Sequence, residues 1–118
     1  MPFFLIKGRW PEAEPVIMTD LRWAYRYARN IIEGSWPEAE PYIMINPEWA
    51  YLYAKNIIKG SWPEAEPYLM TESYWAYQYA NNVIEGRWPE AESVIIQDSY
   101  YWNEYSKLVR DYIHKLFA

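Results

Sequence analysis

Four glycines, Gly8, Gly34, Gly60 and Gly86, stand 26 residues apart, and each opens nearly the same phrase. Gly34-Ser35-Trp36-Pro37-Glu38-Ala39-Glu40-Pro41 recurs at Gly8–Pro15, Gly60–Pro67 and Gly86–Ser93. Between the copies a second block, Trp23-Ala24-Tyr25-Arg26-Tyr27-Ala28-Arg29-Asn30, returns at Trp49–Asn56 and Trp75–Asn82. Self-similarity at this period marks a tandem array. A unit this short cannot bury its apolar face alone, so the core must grow by stacking neighbours. The 118 residues then divide as a single repeat domain: a cap over 1–7, repeats over 8–33, 34–59 and 60–85, and a degenerate repeat with a C-terminal helix over 86–118.

Each unit reads as two helices. Trp10-Pro11-Glu12-Ala13-Glu14 places proline and two acids where a first turn favours them, next to the positive end of the helix dipole. Ser35-Trp36-Pro37-Glu38 and Ser61-Trp62-Pro63-Glu64 also fit a capping box, which Arg9 and Arg87 break at the matching places. A first helix is expected over Pro11–Met18, with equivalents ending near Met44, Met70 and Ile96. Pro15, Pro41 and Pro67 forbid one of its hydrogen bonds and predict an irregular opening turn. Asp20, Asn46, Ser73 and Asp98 read as N-caps of a second helix. There Ala24, Tyr27, Ala28 and Ile31 recur at i, i+3, i+4 and i+7. Gly34, Gly60 and Gly86 are expected to end it in the left-handed conformation. After Tyr101 the pattern lapses and no glycine follows, which predicts a longer terminal helix. The expected fold class is all-α: an α-solenoid of stacked helix pairs with a longer C-terminal capping helix.

The 8 Trp and 13 Tyr fall mostly at fixed places in the repeat, so they read as packing residues, with Trp10, Trp23 and Tyr27 filling the space between layers. Cysteine is absent, which removes disulfides and thiolate metal sites and allows a reducing compartment; a cytoplasmic location is expected. Phe3-Phe4-Leu5-Ile6 is too short for a signal-peptide core or a membrane span, so a soluble chain with no membrane partner is expected. A net charge of −5 argues against nucleic acid.

Catalysis finds little to work with. His114 is the sole histidine, which excludes histidine triads and ordinary zinc sites. The carboxylate pairs Glu12 and Glu14, Glu38 and Glu40, Glu64 and Glu66, and Glu90 and Glu92 are two apart. On a helix such residues point away from each other and cannot easily share a proton or an ion. They are assigned to the helix dipole and to layer-to-layer hydrogen bonds. Asn30, Asn56 and Asn82 are assigned to a ladder of bonds to the adjoining turn. No catalytic residue, metal ligand or cofactor is assigned, and the chain is read as not an enzyme.

The phrases W-P-E-A-E, W-A-Y-x-Y-A and N-x-I-x-G resemble short helical repeats in uncharacterised bacteriophage and giant-virus proteins, closely over Gly8–Gly86 and loosely beyond. The resemblance implies a viral or phage-like origin, which would place the chain in host-cell cytoplasm. In architecture the units are also similar to tetratricopeptide and Sel1-like solenoids, which implies a groove for partner proteins.

Comparing units within the chain, the core places barely change while three places on the second helix vary: Arg22, Glu48 and Tyr74; Arg26, Leu52 and Gln78; Arg29, Lys55 and Asn81. Tyr100, Glu104 and Lys107 continue the series. These lie at i, i+4 and i+7 and predict one stripe per helix, joined by stacking into a continuous surface that binds a protein partner, with Arg22, Arg26 and Arg29 suited to an acidic one. A small-molecule or nucleotide-binding scaffold, an acidic decoy, and a structural or engineered array without a ligand remain as alternatives. The apolar band of the terminal helix, which includes Tyr105, Val109, Tyr112, Ile113 and Leu116, also offers a surface for a homodimer.

Overall fold

The computed structural model describes residues 8–117, and among them the chain is helical with no strand. The expected cap over 1–7 lies outside the described residues. Eight α-helices form four pairs: α1 (Glu14–Ile17) with α2 (Leu21–Tyr27), α3 (Glu40–Ile43) with α4 (Pro47–Tyr53), α5 (Glu66–Leu69) with α6 (Ser73–Tyr79), and α7 (Glu92–Ile95) with α8 (Ser99–Leu116). The second helices α2, α4, α6 and α8 stand side by side in chain order, and each first helix after α1 lies against the second helices on both sides of it. The Cα radius of gyration is 16.9 Å, with extents of 56 × 30 × 19 Å. A globular chain of this length has a radius of roughly 13–14 Å. The molecule is therefore an elongated stack.

The first helix starts later than the sequence suggests. Pro63–Ala65 and Pro89–Ala91 form 3-10 turns, Pro11–Ala13 forms an equivalent turn, and α-helix begins only at Glu14, Glu40, Glu66 and Glu92. Pro15, Pro41 and Pro67 have no N–H to give to the carbonyl four residues back, so they sit in a fresh first turn where none is required. Ser93 occupies the same place in the last unit with the same break, so proline is not its sole cause. The serine capping box does not form: the turn at Pro63 is preceded by Trp62 with no side-chain cap.

At the second helices Asp20 accepts hydrogen bonds from the N–H groups of Arg22 and Trp23 at 3.1 and 3.2 Å, and Asp98 serves Tyr100 and Tyr101 at 2.9 and 3.3 Å. Asn46 caps Trp49 at 3.2 Å. In the third unit the N-cap is Glu72, without a side-chain bond, and not Ser73, because the repeat register sets the boundary even where a poor capping residue falls on it.

The C-terminal ends also correct an expectation. The second helices of the first three units widen into a π turn, Ala28–Ile32, Ala54–Ile58 and Ala80–Ile84, and the left-handed residue that follows is Glu33, Lys59 or Glu85, with φ of 60°, 61° and 60°. Gly34, Gly60 and Gly86 come one place later and are not left-handed. The wider turn lets two successive N–H groups, those of Lys59 and Gly60, reach the Ala54 carbonyl at 2.7 and 3.2 Å. This moves the chain reversal forward by one residue.

Ala24, Ala28, Ala50, Ala54, Ala76 and Ala80 are fully buried, which lets adjacent helix backbones approach. Trp36, Trp62 and Trp88 are buried against Tyr27, Tyr53 and Tyr79 of the preceding unit, with ring centroids 5.0, 4.9 and 4.9 Å apart. Trp10, at the matching place in the first unit, is exposed, and so is Trp23, so neither fills a gap between layers as expected. Among the described residues no tryptophan of a following unit lies against Tyr105. Trp102, in place of the buried Ala76, brings its own ring to 5.6 Å from Tyr105. With Asn103 where the other units have Tyr25, Tyr51 or Tyr77, α8 does not present the surface that a further unit would need.

Deleting residues 34–59 joins Glu33 to Gly60 in register, so Tyr25 would meet Trp75 and Asn82 in place of Trp49 and Asn56. The shortened chain is expected to keep its helical circular dichroism and melt at a lower temperature, while deleting only 34–46 abolishes cooperative melting. Equal melting of the two deletions would refute the stacked-unit account. Lys59→Gly removes the left-handed penalty on a side chain and is expected to raise the unfolding free energy by about 0.5–1 kcal/mol in urea titrations; a lower value would show that the Lys59 conformation is unstrained.

Candidate functional site

Most of the repeated polar side chains are occupied in holding the units together. In every unit one tyrosine hydroxyl accepts the N–H of the tryptophan 17 residues earlier and donates to the glutamate 13 residues earlier. Tyr27 serves Trp10 and Glu14, Tyr53 serves Trp36 and Glu40, Tyr79 serves Trp62 and Glu66, and Tyr105 serves Trp88 and Glu92, all at 2.7–2.8 Å. The second glutamate of each carboxylate pair is thereby used within its own unit, and not between layers as expected. The first, Glu12, Glu38, Glu64 and Glu90, points to solvent.

In the two end units an arginine joins the arrangement. Arg9 holds Glu14, and Arg87 holds Glu92, each with its closest contact at 2.9 Å. The hydrogen bonds from these guanidinium groups keep both carboxyls below the ordinary carboxylate range. Burial drives the tyrosines the other way: Tyr53 and Tyr79 are raised well above the ordinary phenol value and Tyr105 is pushed up to about 12, each reinforced by the neighbouring carboxylate.

The asparagines form a ladder with a partner other than the one expected. Asn56 Nδ2 donates to the Tyr25 hydroxyl, and Asn82 Nδ2 to that of Tyr51, both at 2.8 Å, so each reaches the second helix of the preceding unit and not the adjoining turn. The rings of Trp49 and Trp75 lie against the same two tyrosines at 5.6 and 5.7 Å. Sequence periodicity identified Asn and Tyr as recurrent but could not pair residues 31 apart, because only the stacking distance decides which turn faces which.

The variable positions form the exposed stripe. Arg22, Arg26, Arg29, Glu48, Lys55 and Tyr74 are exposed, and Leu52, Gln78 and Asn81 are half-buried. The guanidinium carbons of Arg22 and Arg26 lie 5.5 and 5.3 Å from the Trp23 ring, and Lys55 Nζ lies 5.8 Å from the Tyr51 ring. Gln78 Oε1 accepts from Asn82 at 2.9 Å, which gives that stripe residue a structural contact.

Beside the arginines is a feature that sequence reasoning did not single out. Ile17, Trp23, Arg26, Tyr27, Asn30 and Ile31 line an open groove of about 560 Å³ on the end face of the first unit. Ile43, Leu69 and Ile95, the counterparts of Ile17, are 0% exposed because a preceding unit covers them, whereas Ile17 is half-buried and Trp23 is 51% exposed.

At the other end Tyr105 is buried and Tyr112 lies against Gly86, while Ile113, Leu116 and Phe117 extend α8 beyond the stack as exposed apolar residues. Among the described residues no group of three or more His, Cys, Asp or Glu side chains could hold a metal ion, and no helix is long and apolar enough to cross a membrane. No protein-family model matches the chain, and no match is found among curated proteins or among solved structures.

Tyr53→Phe would leave the Trp36 N–H and the Glu40 carboxylate without their common partner and is expected to cost about 2–3 kcal/mol in urea denaturation. A change below about 0.5 kcal/mol would show that the hydroxyl is dispensable. The raised tyrosine values also set an alkaline limit. A phenol that titrates higher in the folded chain contributes stability in full below its unfolded value of about 10, and this is lost as pH rises through the folded value. Melting temperature should therefore fall steeply above about pH 10. A flat profile through that range would contradict the burial of these hydroxyls.

Proposed function

We propose that this chain is a non-enzymatic helical-repeat module that binds a protein partner through the exposed stripes of its second helices. Support comes from the division of labour among its side chains. Tyr27, Tyr53, Tyr79 and Tyr105 are engaged with Glu14, Glu40, Glu66 and Glu92, and Asn56 and Asn82 with Tyr25 and Tyr51, whereas six of the nine positions that vary from unit to unit are exposed. The observation that carries the proposal is the arginine cluster of the first unit, where two guanidinium groups lie against an exposed indole. Arginine and tryptophan are the residue types that most often dominate protein interfaces. The stripe passes from three arginines in the first unit to Glu48, Leu52 and Lys55 in the second and to the uncharged Tyr74, Gln78 and Asn81 in the third, so its charge changes along the stack and can orient a partner. A cytoplasmic setting and a viral or phage-like origin belong to the same proposal. The exposed Ile113, Leu116 and Phe117 favour a second contact, a homodimer through the distal half of α8.

The triple variant Arg22→Glu, Arg26→Glu, Arg29→Glu is expected to retain helical content and melting temperature within a few degrees while losing partners recovered from lysate on immobilised wild-type protein. Unchanged recovery would remove this cluster from the interface.

A further inference from the structure

We propose that the third unit carries a site for a short neutral oligosaccharide, formed by the Tyr74 ring and the amides of Gln78 and Asn81 on one face of its second helix. This goes beyond the protein-binding proposal, which the arginines of the first unit carry.

The site is uncharged where its neighbours are not. Residues 73–84 hold no charged side chain, whereas the matching spans hold Arg22, Arg26 and Arg29 in the first unit and Glu48 and Lys55 in the second. A surface of rings and amides suits a ligand that is itself neutral and rich in hydroxyls, because neither side then has to strip water from an unpaired ion. The helix α6 stands between α4 and α8, so Tyr74 is 41% exposed with both neighbouring units in place.

The repeat does not require a ring at this position, since Arg22 and Glu48 occupy it in the first two units. The ring is nonetheless held in place: Trp75 and Tyr101 meet it at 4.6 and 5.4 Å, with interplanar angles of 83° and 76°. These contacts fix the plane of an exposed aromatic face, on which the C–H face of a pyranose can lie.

The amides follow along the same helix. Gln78 and Asn81 stand at i+4 and i+7 from Tyr74, on the same face and about 6 and 10 Å along the axis, which is the reach of two linked hexose rings. Asn82 orients both. Its Nδ2 donates to Gln78 Oε1 at 2.9 Å and to the Tyr51 hydroxyl at 2.8 Å, and its Oδ1 accepts from Asn81 Nδ2 at 3.2 Å. This leaves Gln78 Nε2 to donate and Asn81 Oδ1 to accept, neither with a partner among the described residues. In the second unit Leu52 and Lys55 take the corresponding places around Asn56, which donates to Tyr25 alone. Amides already fixed beside a braced ring lose little freedom on binding, which favours a specific grip on hydroxyl groups.

Isothermal titration of the full chain with cellotetraose, maltotetraose, mannotetraose and chitotetraose, one at a time, tests the site. At least one is expected to bind saturably with a Kd of about 0.01–1 mM. The variant Tyr74→Glu, Gln78→Leu, Asn81→Lys puts the second unit's residues into the third, a set that the fold already accommodates. It should keep its circular dichroism and melting temperature and weaken binding by about 20-fold or more. Tyr74→Ala alone should weaken it about 5- to 10-fold, the loss of one ring contact, while the triple arginine variant of the first unit should bind the sugar as the wild type does. No binding of any of the four up to about 10 mM, well beyond a millimolar site, overturns the inference and leaves the arginine-cluster proposal standing. Binding that the third-unit variant leaves unchanged also overturns it. So does saturable binding of a decaproline peptide with all four sugars inert, which would assign the ring surface to a proline-rich protein.

Discussion

One tyrosine hydroxyl per unit ties the local structure together. It accepts a hydrogen bond from the backbone N–H of the W-P turn and donates one to the glutamate that opens the first helix, so a single buried oxygen fixes the turn, the first helix and the second helix of the unit in one arrangement. Both bonds are near 2.7 Å and one ends on a carboxylate, which places them among the stronger hydrogen bonds of a protein interior. Burial around them keeps the phenol protonated, and this is the state that can donate. The very short first helices, four residues each, would not persist in water alone and depend on this clasp.

Between units a different chemistry operates. Aromatic rings meet across each junction, tryptophan on tyrosine, with one asparagine amide at each of the first two junctions supplying direction. Ring contacts are tolerant in angle, while the amide to hydroxyl bond is not, so packing gives most of the junction's stability and the hydrogen bond gives its register. The separation of within-unit and between-unit interactions explains why the same unit can be reused with its outer face rewritten.

The two ends of the stack are treated unequally. At the C-terminal end Trp102 turns back on Tyr105, and α8 runs on where the other second helices stop, so the surface for a further unit is gone. At the first unit the receiving surface persists, with its tryptophan and asparagine intact and three arginines beside it.

The sequence by itself determined the all-helical class and the repeated pairing of similar helices, because these depend on periodicity and on local propensities that a linear pattern records. Asp20, Asn46 and Asp98 cap where they were expected to, for the same reason. Tertiary structure decided the rest. The left-handed residue moved from Gly34 to Glu33 because the helix widens at its end, which no local propensity forecasts. The partners of Asn56 and Asn82 lie 31 residues away and follow from the stacking distance. Glu14 and Glu12 are indistinguishable in the repeat pattern, yet only the one that faces Tyr27 is held. Trp49 and Trp75 lie against tyrosines of the preceding unit whereas Trp23, at the same place in the repeat, is half exposed, a difference of position in the stack that identical residues cannot encode.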